Sequence, residues 1–303
     1  MNQTRTHPIA DFWELCRPFT LLAPFVGFVC FALAGWSGQS EVGLRGAVLP
    51  ILLGALSAAC LNAASNIVNQ YYDLEIDRIN KPARPIPSGR ISPFAALIGC
   101  VILYALSAVL AYCVGPQFFI IVMFTLFLTY AYSGPPFRTK RHWLLANLTI
   151  AVPRGCLLVV AGWTALRSVY DAEPWIIGAV FGLYIFGAAT TKDFADIKGD
   201  RQGGCITLPV RFGVRQSAYM IAPFFVLPFV LLFIASFFGW LSAWRIGVMG
   251  LSLLLSVWGA YVAYLIVRKP DELATEANHV SWKHMYLMML VGQMGTAAAY
   301  FIE

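Results

Sequence analysis

The chain is poor in charge. Only 12% of its 303 residues are Asp, Glu, Lys or Arg, while 59% are hydrophobic; an ordinary soluble domain carries about 25% charged residues. With a mean hydropathy of +0.70, this composition excludes a soluble globular fold. No Pro/Gly/Ser-rich linker separates polar blocks, so residues 1–303 read as one integral-membrane domain. No C-x-x-C occurs, and the cysteines are odd in number, scattered and mostly inside apolar runs, which argues against a disulfide framework and a zinc site. Strand-like alternation is also missing, so membrane crossing falls to helices and not to a barrel. The net charge of +6 calls for no nucleic acid, because Lys and Arg gather in the cytoplasmic loops of membrane proteins.

What the chain does have is long apolar runs, each sufficient to cross a hydrocarbon core of about 30 Å. Nine are expected, near residues 19–36, 46–70, 93–113, 117–133, 145–165, 174–192, 217–239, 243–267 and 281–301. The fold class is therefore all-α, a polytopic membrane protein with nine transmembrane helices around a central cavity and polar motif loops on one face. The start, "MNQTRTHPIADFWELCRPF", is polar, longer than a signal n-region and followed by a full-length span, so it reads as a retained signal anchor. With the N-terminus in the cytoplasm, every basic residue from Arg5 and Arg17 to Lys283 falls on or near that face, except Arg45, Arg167 and Arg245. The positive-inside bias thus predicts an N-in, C-out protein in the cytoplasmic membrane with its polar site on the cytoplasmic side.

The scarcest residues are the most concentrated. Of 15 acids, Asp73, Glu75 and Asp77 lie in "NQYYDLEID" (69–77) and Asp193, Asp196 and Asp200 in "KDFADIKGD" (192–200). Asn69, Asp73 and Asp77 are spaced four apart, on one helical face, and Asp193, Asp196 and Asp200 follow at i, i+3 and i+7. Glu75 points elsewhere and reads as a solvated charge. Two facing stripes of hard oxygen donors suit Mg²⁺, which keeps part of its water shell and is completed by substrate phosphates. Ionisable residues at a membrane edge are functional candidates by default. Asp73, Asp77, Asp193, Asp196 and Asp200 are thus the candidate catalytic acids, and with Asn69 the candidate metal ligands.

Bases follow the acids closely. Arg84 and Arg90 lie in "RINKPARPIPSGRIS", Arg138 and Lys140 in "YAYSGPPFRTKRHW", and Lys192 inside the second acidic window; as donors to an oxygen-rich anion they are candidate diphosphate ligands. Arg17 ("CRPFTLL") and Arg154 ("AVPRGCLL") lie deeper, where a cation is expensive unless paired, and are candidates for a substrate pocket. Tyr130 and Tyr132 join them, with Phe127, Phe181, Tyr184 and Phe186 near the same face, because aromatic faces stabilise cations.

These motifs resemble the UbiA superfamily of intramembrane prenyltransferases. "NQYYDLEID" is similar to its N-x-x-x-D-x-x-x-D signature, and Asp196 and Asp200 match its second, D-x-x-x-D motif, with Asp193 an extra acid. The resemblance covers nearly the whole chain. It implies Mg²⁺-dependent transfer of an isoprenyl group from a polyprenyl diphosphate donor to a lipophilic acceptor, with the lipid tail between helices in the bilayer. Gln70 stands where many members carry Asp. "NQ", "YSGPPFRTKR" and the Arg154–Gly155 pair look like homogentisate-type quinone prenyltransferases, whereas "RPIPSGRIS" and "TLPVRFG" look like geranylgeranylglyceryl phosphate and chlorophyll synthases. The lean is to an aromatic quinone precursor, with Gln70 bearing on acceptor choice and an ether-lipid glycerol phosphate or chlorophyllide acceptor as alternatives. A membrane terpene cyclase on the same scaffold stays open. A CDP-alcohol phosphatidyltransferase would need an Asp-Gly and Ala-Arg pair ahead of its acids, which is missing, and a cation-coupled transporter places its acids near the midplane on broken helices.

Overall fold

The computed structural model describes residues 8–37, 42–275 and 279–302; Arg5 lies outside them. Among the described residues every regular element is helical. A short helix α1 (Pro8–Cys16) leads into α2 (Phe19–Trp36) and the long α3 (Leu44–Tyr72), which is followed by α4 (Leu74–Asn80), of about two turns. Helices α5 (Pro93–Val114) and α6 (Pro116–Ser133) form a hairpin. Ser92 caps α5 by accepting the Ala95 N–H, with Pro93 at the first helical position, where its missing donor costs nothing.

The next expected span, 145–165, is a composite of α7 (Trp143–Ala151), a wide turn over Val152–Leu157 of the i to i+5 kind, and α8 (Leu158–Thr164). Then come α9 (Glu173–Thr190), α10 (Asp193–Gln202), α11 (Leu208–Phe212), α12 (Val214–Ile221), α13 (Leu227–Phe237), α14 (Arg245–Arg268), α15 (Glu272–Thr275) and α16 (Val280–Ala298). Helix α9 stops at Thr190, short of the expected 192, because a turn at Thr191–Lys192 re-aims the chain into α10. The expected continuous run 217–239 is split into α12 and α13 by a tight turn at Ala222–Phe225; Pro223 in that turn and Pro228 at the start of α13 withhold the backbone donors a continuous helix would need.

Eight of these units are long and apolar enough to cross a membrane, ending with Arg245–Arg268. The ninth expected span corresponds to α16, whose 19 residues reach roughly 28 Å. Ser281, Lys283, His284 and Gln293 make it more polar than the other eight, so the count that meets the apolar criterion is eight. Helix α5 forms an outer wall: only 22% of its window is buried, and Val101, Ile102, Val109 and Tyr112 face outward. Helix α3 packs along α5 and α2, α2 against α8 and α16, and α13 against α14. The two largest apolar cores lie one among α9, α12–α14 and α16, the other among α2, α3, α6 and α8. The first acidic window lies where α3 ends and the second begins just after the end of α9.

Candidate active site

The first window keeps its stripe although the helix breaks. Asp73 ends α3 with φ −99° and ψ 14°, yet its N–H donates to the Asn69 carbonyl at 2.9 Å and its own carbonyl accepts from Asp77 N at 2.7 Å. Asn69, Asp73 and Asp77 therefore stay in line. Asn69 Nδ2 donates to Asp73 Oδ2 at 2.7 Å. The other Asp73 oxygen is ion-paired with Lys140, itself buried, and Arg138 Nη2 stands 3.6 Å away. Asp77 receives Arg84 Nη1 on both oxygens, at 2.7 and 2.6 Å. Glu75 is solvent-exposed and pairs with Arg78, as expected of a solvated charge.

The second window rides on α10. Asn80 joins the two: its Oδ1 accepts Gly199 N–H at 3.0 Å and its Nδ2 donates to the Asp196 carbonyl at 3.1 Å. A Cβ at position 199 would lie 2.4 Å from Asn80 Nδ2, so only glycine permits this approach. Lys81 Nζ meets Asp196 Oδ2 at 2.5 Å. Among the described residues no hydrogen bond or ion pair reaches the carboxylates of Asp193 or Asp200. Burial, reinforced by Asp200 and Asp196, holds Asp193 well above the usual carboxylate range, and burial with Asp196 pushes Asp200 up to about 7.

A third group of side chains lies deeper. Arg17 occupies the break between α1 and α2 with φ +54°, and its Nη2 is buried without a partner. The break is held by a ladder of amides on α3: Asn62 donates to the Thr20 carbonyl, Asn66 to that of Cys16, and Gln70 to that of Leu15 at 2.8 Å. The Leu15 and Cys16 carbonyls are ones that the end of α1 leaves without intrahelical partners, and that of Thr20 lacks one because Pro24, four residues on, has no N–H. Arg154 is presented by the wide turn, whose extra residue displaces it from a regular helical register. Gly155 next to it lets α9 approach, since a Cβ there would sit 2.5 Å from Gly182 Cα. Lys192 stands 5.2 Å over the Trp282 ring, and burial, with the charges of Arg154 and Arg17, lowers its ammonium to about 7. Among the described residues Arg17, Arg154 and Lys192 have no carboxylate partner.

All three groups line one cavity of about 500 Å³. It takes in Asn69, Asp73, Asp77, Asp193, Asp196, Asp200, Arg84, Lys140, Lys192, Arg17, Tyr132 and Arg154 of the expected residues. Two apolar chambers adjoin it, about 160 Å³ among α2, α9 and α16 and about 60 Å³ among α2, α3, α6 and α8; Arg154 lines all three spaces.

Three expected residues do not line the cavity. Arg90 is turned outward to Asp11 and Glu14. Tyr130 spends its hydroxyl on the Pro135 carbonyl. Arg138 stands behind Asp73, donating to the Tyr72 carbonyl. Gln70, expected to bear on the acceptor, is buried against α1 and absent from the lining, because its amide is committed to helix-end carbonyls. Of the aromatics, Phe127 is exposed and packs on Phe137, Phe181 lies in the apolar core and Phe186 packs on Phe224. Tyr184 lines only the larger apolar chamber, with its hydroxyl on the Met285 carbonyl. Lys81, absent from the expected set, lines the cavity. Its signal is plain in retrospect, since it continues the four-residue period of Asn69, Asp73 and Asp77.

As they stand, no three acids among the described residues converge closely enough to hold a metal ion, for three of the five are drawn toward Lys140, Arg84 and Lys81. The donor set nonetheless fits a hard divalent cation. It is all oxygen, and it includes two acids, Asp193 and Asp200, that have no ion-pair partner among the described residues and that a divalent cation would hold in the ionised form.

A profile of the UbiA prenyltransferase family matches residues 21–290. Digeranylgeranylglyceryl phosphate synthase of Methanosphaera stadtmanae is 28% identical over 280 residues, covering 92% of this chain and 94% of the relative. The bacteriochlorophyll synthase 34 kDa chain of Chloroflexus aurantiacus is 32% identical over 209 residues, covering 69% and 66%. In fold, the chain is similar to a UbiA homologue from Archaeoglobus fulgidus solved with DMAPP and Mg²⁺, at a TM-score of 0.74 and 21% identity over 96% of this chain and 99% of the other. A family match this extensive, on a membrane helix bundle whose two acidic windows open on one cavity, makes the chain a member of the UbiA prenyltransferase family.

Proposed function

We propose that this prenyltransferase moves an isoprenyl group from a polyprenyl diphosphate to a lipophilic acceptor with an anionic head, residues 1–303 acting as one membrane domain with the cavity on the cytoplasmic side. The observation that carries the reading is the division of charge in the cavity. One wall holds five carboxylates with Lys81, Arg84 and Lys140, and the deeper wall holds Arg17, Arg154 and Lys192 with no acid of their own.

Asn69, Asp73, Asp77, Asp193, Asp196 and Asp200 would hold Mg²⁺, which when bound neutralises charge developing on the leaving diphosphate. The allylic C–O bond breaks and its electron pair leaves on the diphosphate, toward which Arg84, Lys140 and Lys81 turn from their carboxylates. The allylic carbon is captured by a hydroxyl oxygen or ring carbon of the acceptor, which then loses a proton. Tyr132 and the apolar chambers keep water from that carbon.

The deep cations bear on the acceptor. Two guanidiniums and a lysine that an incoming anion would recharge suit a doubly charged phosphate monoester better than a neutral ring, so glycerol phosphate of an ether lipid is favoured over a quinone precursor. The glyceryl phosphate synthase relative supports the same choice. Purified protein incubated with labelled geranylgeranyl diphosphate, Mg²⁺ and a panel of glycerol-phosphate, aromatic and chlorophyllide acceptors, read by mass spectrometry, tests it. A prenylated glycerol phosphate is the expected product. Aromatic or chlorophyllide products alone would overturn the acceptor, a cyclised hydrocarbon would turn the reading to a cyclase, and no diphosphate release with any acceptor would sink prenyl transfer.

A further inference from the structure

Arg90 is the most heavily engaged side chain outside the cavity. Its Nη1 donates to Asp11 Oδ1 at 2.5 Å and to Glu14 Oε2 at 2.7 Å, while its Nη2 donates to Glu14 Oε1 at 2.8 Å and to the Ala83 carbonyl at 2.9 Å. Its Nε donates to Ser88 Oγ at 3.2 Å. One guanidinium thus ties the loop 83–90 to α1. Both ends of that tie lead to the cavity. Ala83 precedes Arg84, which grips Asp77, and the Glu14 carbonyl accepts the N–H of Arg17 at 3.0 Å. Ile86 of the same loop is buried in one apolar cluster with Leu15 and Cys16 of α1, so loop and helix also share a core.

We infer that Arg90 is a positioning residue, which from outside the cavity sets the two cavity arginines Arg84 and Arg17 by clamping their parent segments together through Asp11 and Glu14. A planar fork with several donors suits this task, whereas a lysine would present one point charge. A lone arginine on the cytoplasmic side would have no reason to be aimed away from the diphosphate. Here two carboxylates of α1 hold it, and Asp11 is itself buried. The inference rests on the reading of this cavity as a diphosphate site.

The test compares Arg90→Gln with the double variant Asp11→Asn/Glu14→Gln, using inorganic pyrophosphate with Mg²⁺ as the probe, in calorimetry, alongside donor kinetics and hydrogen exchange. The clamp predicts that both variants weaken pyrophosphate binding and raise donor KM by about tenfold, with kcat within about twofold of wild type. Combining all three substitutions should add nothing further, because either change alone opens the same clamp. Amide exchange should rise over 83–91 and 17–21 in both.

If Arg90 bound the diphosphate itself, freeing it from the two acids would leave binding unchanged or tighten it, which overturns the inference. Unchanged exchange overturns the clamp, and faster exchange with unchanged pyrophosphate binding overturns its effect on the cavity. Absence of pyrophosphate binding in the wild-type protein is a different result: it removes the diphosphate reading on which the inference rests.

Discussion

The two acidic windows face one cavity and meet opposite electrostatic conditions. In the first, Asp73 and Asp77 are both buried and each is held by a cation from another segment, Lys140 and Arg84, with the Asn69 amide beside them. In the second, only Asp196 has a cation, and Asp193 and Asp200 are left to repel each other. A buried carboxylate without a partner is unfavourable by several kcal/mol, which is why both are pushed toward the neutral form. The difference assigns the windows unlike tasks in the proposed reaction. The first is a preassembled set of ion pairs whose bases can change partner when diphosphate arrives. The second carries two unpaired acids, held toward the neutral form, that a metal would ionise as it displaces their protons.

The comparison breaks most severely if either wall proves dispensable. Asp73→Asn and Asp196→Asn should each lower kcat/KM for the donor by about 10³-fold or more, the loss typical of a missing charge-stabilising group. The measurement is diphosphate release, with circular dichroism to show that the variants fold. Turnover within tenfold of wild type in either variant would mean that the two windows do not serve one reaction.

A smaller effect separates the windows by pH. Asp200 binds a proton below about 7 in the metal-free protein, and the metal requires the carboxylate. Protons and metal therefore compete, and the apparent Mg²⁺ dissociation constant should rise as pH falls through 7, approaching about tenfold per unit. Titration with Mg²⁺ between pH 8 and 6 gives the slope. Asp200→Asn should weaken binding at pH 8 and reduce the slope to the share carried by the Asp193 proton, whereas Asp77→Asn should keep the full slope. A profile equally steep in Asp200→Asn would locate the competing proton elsewhere.

Much of this site is legible in the sequence because it depends on local spacing. A four-residue period survives the break at Asp73, since two backbone hydrogen bonds carry the helical rise across it, and the i, i+3, i+7 pattern on α10 needs only one short helix. The helix bundle is legible for a similar reason: apolar length alone decides it, except in α16, where Lys283 and His284 reduce the hydropathy. What spacing cannot show is the direction in which a loop side chain points. Arg84 and Arg90 are six residues apart in one proline-rich loop, and one enters the cavity while the other is captured by α1, a segment some 75 residues earlier. Gln70 is misleading for the same reason. Its neighbour Asn69 faces the site, but a helix turns about 100° per residue, which delivers Gln70 to the Leu15 carbonyl of α1. The ladder Asn62, Asn66 and Gln70 has a four-residue period of its own, readable as a second polar stripe.

The gentlest perturbation concerns Lys81, the one cation ion-paired with an acid of α10 among the described residues. Its ion pair with Asp196 is partly exposed, at 39% and 23% of the two side chains, so its loss should change stability by less than about 1 kcal/mol. Lys140→Met is the contrasting case, since it strands Asp73 in a buried position and should destabilise the fold by about 3 kcal/mol. Removing the Lys81 charge leaves the three acids of α10 without an ion-paired cation. Lys81→Met should therefore tighten Mg²⁺ binding a few-fold in the absence of diphosphate, and weaken donor binding a few-fold once Mg²⁺ is saturating, because a base that would turn to the diphosphate is gone. Opposite signs in the two titrations are what distinguish a base shared between acid and substrate from a simple structural ion pair. If both affinities fall together, Lys81 only shapes the wall, and the second window is less starved of cations than its two free carboxylates imply.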